Sequence, residues 1–111
     1  MKILFICSRN KDRSPTAEDM YKGLPDIQVK SAGVDPDAIN IVTKEMVEWS
    51  DIIVVMDGIH DRQLFKLHQK FPFLKPMNKK IVDFGIPDQF VRGEPRLVEL
   101  ISSKMKEHFG L

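Results

Sequence analysis

The chain is short of the residues that would make several classes of protein possible. It has one cysteine, Cys7, in 111 residues. An internal disulfide is therefore excluded, and an oxidised Cys7 has no resolving thiol within the chain. A lone working thiol suits a reducing compartment, so the expected location is the cytoplasm. No apolar run approaches the length of a membrane span, and Met1 to Ile6 is too short for a signal peptide. Charge of either sign is nearly balanced, with 17 Lys and Arg against 16 Asp and Glu for a net +1. That balance gives no electrostatic footprint for nucleic acid or a membrane surface. The histidines His60, His68 and His108 show no H-x3-H spacing and have no cysteine partner, so no metal site is expected. No cofactor is implied. No internal repeat, low-complexity tract or linker is visible, and the length suits a single domain over residues 1–111, monomeric by default.

What is present begins with alternation. Lys2 to Ile6 is a continuous apolar strand. Ser14 to Gly23 reads as a helix, with Pro15 near its start and Gly23-Leu24-Pro25 ending it. Ile27 to Ser31 is a second strand and Gly33 to Asn40 is rich in turn residues. Thr43 is placed to cap a short helix to about Trp49 that buries Met46, Val47 and Trp49. Ile52 to Met56 is the most hydrophobic run and the expected central strand. Asp57 is expected to cap a helix reaching Phe71, Pro72 and Pro76 to mark a loop, and Lys80 to Phe84 to form a fourth strand. A last helix runs from about Glu94 to His108, with Leu97, Ile101, Met105 and Phe109 on one stripe. Strands alternating with helices predict an α/β fold, a four-stranded parallel sheet flanked by helices on both faces. Ligands of such sheets bind beyond the carboxyl ends of the strands, where Cys7, Asp57 and Asp88 should gather.

The chemistry is concentrated in Cys7-Ser8-Arg9-Asn10-Lys11-Asp12-Arg13-Ser14. A strand ends in a cysteine, an arginine follows six residues later, and Ser-Pro opens a helix. A free thiol is only a few per cent ionised at neutral pH, but inward-pointing amides, a helix N-terminus and a guanidinium all favour the thiolate. The same groups favour a phosphate held above the sulfur. Arg13 can grip two equatorial oxygens with its planar fork and follow them into the transition state. Ser14 can hydrogen-bond the sulfur and help it leave. Asn10 suits a left-handed backbone within the loop. Arg9 and Lys11 add charge at the rim, and Asp12 either projects to solvent or buttresses a basic side chain.

The run Cys7 to Glu18 resembles the phosphate loop of the low-molecular-weight protein tyrosine phosphatases, C-x-x-N-x-x-R-S-P-x-A-E, at every fixed position. Ser31-Ala32-Gly33, Asp51 to Asp57 and Ile86 to Phe90 resemble later segments of that family in the same order. The resemblance implies a cysteine-dependent phosphatase with Cys7 as nucleophile, Arg13 as phosphate ligand and Asp88 as general acid and then base, on a phosphotyrosine phosphatase I-like fold. Residues Ser8 to Ser14 would bind phosphate. Phe90 would form a wall of the substrate slot, or else belong to the core. Two departures stand out. Gln89 follows Asp88 where the family has proline, which would leave Asp88 more mobile. The stretch Val34 to Ser50 is short, which would make the slot shallower and more basic.

Three readings follow. The first is a phosphatase for phosphorylated protein, above all phosphotyrosine, or for small polyphosphorylated metabolites. The second is a phosphocysteine carrier like the B subunits of sugar phosphotransferase systems, which Arg13 and Asp88 disfavour. The third is an anion-binding module without catalysis. An arsenate reductase is disfavoured because its thiol relay needs more cysteines.

Overall fold

The computed structural model describes residues 1–111 and contains one four-stranded sheet. Its elements run β1 (Lys2–Cys7), α1 (Arg13–Tyr21), β2 (Gln28–Gly33), α2 (Lys44–Trp49), β3 (Ile52–Val55), α3 (Gln63–Lys70), α4 (Leu74–Met77), β4 (Lys80–Asp83) and α5 (Pro95–Phe109). The strand order is β2-β1-β3-β4, and every pairing is parallel. After Lys2, the inner strand β1 is apolar, as is all of β3, because both of their faces are covered.

Alternation along β1 and β3 divides the core into two layers. Ile3, Phe5, Cys7, Ile52 and Val54 face one side and pack with Ala17 and Tyr21 of α1 and Leu97, Ile101 and Met105 of α5. Leu4, Ile6, Ile53 and Val55 face the other side, against Val47 of α2, Leu67 of α3 and Leu74 of α4. No helix is long and apolar enough to cross a membrane.

Three local expectations are corrected. Asp57 does not start a helix to Phe71. Its Oδ1 accepts the His60 N–H at 3.0 Å, closing a turn, and α3 begins only at Gln63 after a left-handed Arg62 (φ 56°). Pro76 lies within the single turn of α4, where a missing N–H breaks no intrahelical bond. Trp49 is half-buried rather than core, with Lys30 Nζ 4.5 Å from its ring centroid.

Gly33 ends β2 where the chain passes closest to the Cys7 loop. A Cβ there would lie 2.6 Å from Ser8 O, 2.7 Å from Ala38 Cβ and 2.9 Å from Arg9 C. Two of those atoms are backbone and cannot swing aside. Gly33→Ala is therefore expected to destabilise the protein by about 1–3 kcal/mol, read as a lower thermal midpoint.

Candidate active site

β1 delivers Cys7 to the carboxyl edge of the sheet, and the chain turns through residues 8–12 into α1. The carbonyls of Cys7, Ser8 and Arg9 accept the amides of Val34, Asp35 and Ile39 at 3.1, 2.9 and 3.0 Å. Those bonds fasten one side of the loop to the segment after β2. The amides of Ser8, Arg9, Lys11 and Asp12 donate to no backbone carbonyl. Asp12 provides no side-chain cap for α1, so the helix start also keeps free donors. A row of unspent N–H groups at a helix N-terminus is an anion cradle.

The sulfur sits at the base of this cradle, 2% exposed. The Asn10 N–H donates to Cys7 Sγ at 3.2 Å, and Ser14 Oγ lies 3.0 Å from it. Asn10 Nδ2 donates to Ser14 Oγ at 2.9 Å, which leaves the Ser14 hydroxyl hydrogen to the sulfur at 3.0 Å or to the longer contact with Ala32 O at 3.5 Å. Asn10 Nδ2 also donates to Ser31 Oγ at 2.9 Å, and Ser31 Oγ donates to Glu18 Oε1 at 2.8 Å. The chain Glu18–Ser31–Asn10–Ser14 thus ends in donors aimed at Sγ, which stabilise negative charge there. Asn10 has the left-handed backbone expected of it, at φ 55°.

Arg13 is 2% exposed. Its Nη1 donates to Ile86 O at 2.9 Å, Nη2 lies 2.7 Å from Asp61 Oδ2, and Nε is 3.8 Å from Asp88 Oδ1. The Asp61 contact is close, yet Oδ2 accepts no aligned hydrogen bond, so its attraction is chiefly coulombic. Ile86 and Asp88 both belong to the loop after β4, and Arg13 therefore ties that loop to the cradle. The expected loss of order at Asp88 is countered downstream. Phe90 is buried, Arg92 N donates to Asp12 Oδ1 at 3.0 Å, and Gly93 N donates to Thr16 Oγ1 at 3.0 Å. Arg92 also grips Asp19 of α1 through Nε at 2.9 Å and Nη2 at 3.0 Å. Hydrogen bonding from Arg92 holds the Asp19 carboxyl below its ordinary value of 3.8. The contribution of this pair is thus fully present above that value and fades as pH falls through the lower folded one.

Cys7, Ser8, Arg9, Lys11, Asp12, Arg13, Asp35 and Asp88 line one cavity of about 420 Å3. The structure brings Cys7, Arg13 and Asp88 together. It sets Asn10 and Ser14 behind the cavity, where they hold the sulfur instead of touching the space above it. Phe90 departs from the expected substrate wall: it is 6% exposed and packs in the α5 layer of the core. The expectation of a markedly basic site is also corrected. Asp12, Asp35 and Asp88 stand opposite Arg9, Lys11 and Arg13, and Lys66 neutralises Asp35 at 2.8 Å. Asp12 buttresses the Arg92 main-chain amide, not a basic side chain.

Two contributors had no sequence signal. Asp61 lies in an irregular turn that the helical reading of residues 57–71 concealed. Gln63 is fully buried; its Oε1 accepts the Asp57 N–H at 2.9 Å and its Nε2 donates to Ser8 Oγ at 3.3 Å.

No family model and no curated protein matches the sequence. Solved structures do. The low-molecular-weight protein tyrosine phosphatase SP-PTP of Streptococcus pyogenes superposes with a TM-score of 0.72 at 16% identity, over 96% of this chain and 92% of that one. The tyrosine phosphatase Wzb of Escherichia coli K30 gives 0.72 at 23% identity, over 96% and 94%. The YwlE arginine phosphatase of Geobacillus stearothermophilus gives 0.64 at 24% identity, over 96% of each chain. These likenesses establish the fold, as the resemblance in the loop implied; the chemistry rests on the site itself.

Asp61 balances the buried Arg13 guanidinium, and its carboxylate would oppose an anion brought to the same side chain. Asp61→Asn should therefore lower the stability of the free protein by about 1–3 kcal/mol. It should also enlarge the rise in thermal midpoint produced by inorganic phosphate. Differential scanning fluorimetry with and without phosphate reads both; an unchanged phosphate response would deny Asp61 this role.

Proposed function

We propose that the protein is a cysteine-dependent phosphatase that works through a phosphocysteine intermediate on a phosphorylated protein. The observation that carries this reading is the sulfur under free amides, with donors from Asn10 and Ser14 upon it and Arg13 and Asp88 in the same cavity. The free amides of Ser8, Arg9, Lys11 and Asp12 and the Arg13 fork would hold three phosphate oxygens and present phosphorus to Sγ. Attack forms the S–P bond and breaks the bond to the leaving group, which takes a proton from Asp88. Water then attacks phosphorus and gives a proton to Asp88 while the S–P bond breaks. Ser14 and the Asn10 amide receive the returning thiolate. Asp88 is 61% exposed at its side chain, so a leaving group and water can both reach it. That access disfavours a carrier, which must protect its phosphocysteine from water. A lone unpaired thiol in this role fits a cytoplasmic setting.

The carrier of the phosphate is a separate matter. Apart from Cys7, no hydrophobic side chain lines the cavity, so it offers no ring to stack on phosphotyrosine. A polar carrier group suits this lining better. Phosphoarginine is one, since its guanidino group could meet the carboxylates at the rim, and arginine phosphatases share the fold.

Cys7→Ser should abolish turnover and retain phosphate binding. Asp88→Asn should slow hydrolysis of an alkyl phosphate by about a hundredfold or more, and of p-nitrophenyl phosphate far less, because only the poor leaving group needs the proton. Equal losses on the two substrates would remove Asp88 from its role. Comparing kcat/KM on one peptide carrying phosphotyrosine or phosphoarginine reads the carrier, and the polar lining predicts a preference for phosphoarginine.

A further inference from the structure

A second cleft, of about 570 Å3, opens beside the active site. Gly58, Ile59 and Arg62 of the turn after β3 form one side of it, and Phe65, His68 and Lys75 line it from α3 and α4. The same turn holds Asp61 against Arg13, so it separates the cleft from the catalytic guanidinium.

Its chemistry is one-sided. Ile59 is 75% exposed and Phe65 54%, a large apolar exposure for a chain of this size. Arg62, His68 and Lys75 are the titratable side chains in the lining, and none has a carboxylate partner. His68 Nδ1 is buried without a hydrogen-bond partner, and Arg62 lies over the Phe65 ring at 4.6 Å. The bias extends beyond the cleft. Residues 62–80 contain Arg62, Lys66, Lys70, Lys75, Lys79 and Lys80 but no Asp or Glu, although the whole chain carries only +1. Of these, Arg62 and Lys75 line the cleft, whereas Lys66 is paired with Asp35.

We infer that this cleft docks an acidic polypeptide segment through one large apolar side chain, placing a phosphorylated residue of the same partner in the cradle. The concavity decides the class of partner. Ile59, Leu64 and Phe65 can close around an inserted side chain while Arg62 and Lys75 face flanking carboxylates. The docking contact rests on the phosphatase reading only for its purpose; the binding itself does not depend on catalysis.

The test uses an unphosphorylated, fluorescein-labelled Glu-Asp-Glu-Phe-Glu-Asp-Glu peptide, with Lys replacing each acid in the control. Anisotropy should show binding of the acidic peptide alone, weakening as salt rises. Phe65→Ala and Lys75→Glu, both exposed changes, should each weaken it about tenfold, whereas Cys7→Ser should not. With the acidic peptide extended through a short linker to a phosphotyrosine or phosphoarginine residue, Phe65→Ala should raise KM by a similar factor and leave kcat on p-nitrophenyl phosphate unchanged. Equal binding of the basic peptide, or binding of the acidic one untouched by both variants, would overturn the proposal. So would binding of anionic vesicles or an oligonucleotide, but not the peptide, that Phe65→Ala abolishes. If the wild-type protein hydrolysed no phosphate at all, the proposed function would fail while the anisotropy measurement still judged the cleft.

Discussion

A buried guanidinium organises the carboxyl edge of this sheet. Arg13 is almost wholly removed from water, and a cation in that position needs partners on every side. It finds them in Ile86 O, Asp61 and Asp88, which come from the turn after β3 and the loop after β4. The general-acid candidate is therefore placed by the residue that would grip the phosphate. One side chain thus joins the Cys7 loop to the turn after β3 and the loop after β4.

The sulfur is prepared in the same economical way. Its donors come from Asn10 and Ser14, and these are oriented by Ser31 of β2 and Glu18 of α1. Opposed to this is a rim in which carboxylates match cations, so attraction for a dianion comes from the cradle and Arg13 rather than from the general field.

The sequence made the cradle legible because its function is local. Cys7, Arg13 and the opening of α1 lie within seven residues, and strand, loop and helix start each leave a compositional mark. The four strands were legible for the same reason: β1 and β3 are apolar runs bounded by polar turns. Contacts that join distant segments were not legible. Asp61 has meaning only because the turn after β3 folds back on Arg13, and Gln63 only because it bridges that strand end to Ser8. Residues 57–62 looked helical because turn and helix starts use the same capping chemistry, and Asp57 supplies it to a turn. Phe90 was open between a substrate wall and the core, and the α5 layer takes its ring. The missing proline after Asp88 is offset by Arg92 and Gly93 reaching α1 and its entrance, a substitution of anchors that no single position reveals.

The account stands on covalent chemistry at one atom. Rapid acid quenching during turnover of p-nitrophenyl phosphate, followed by peptide mass spectrometry, reads that chemistry directly. A phosphoryl group on Cys7, formed and lost at rates that match turnover, is the predicted result. Steady hydrolysis with Cys7 unmodified at every time point would contradict it.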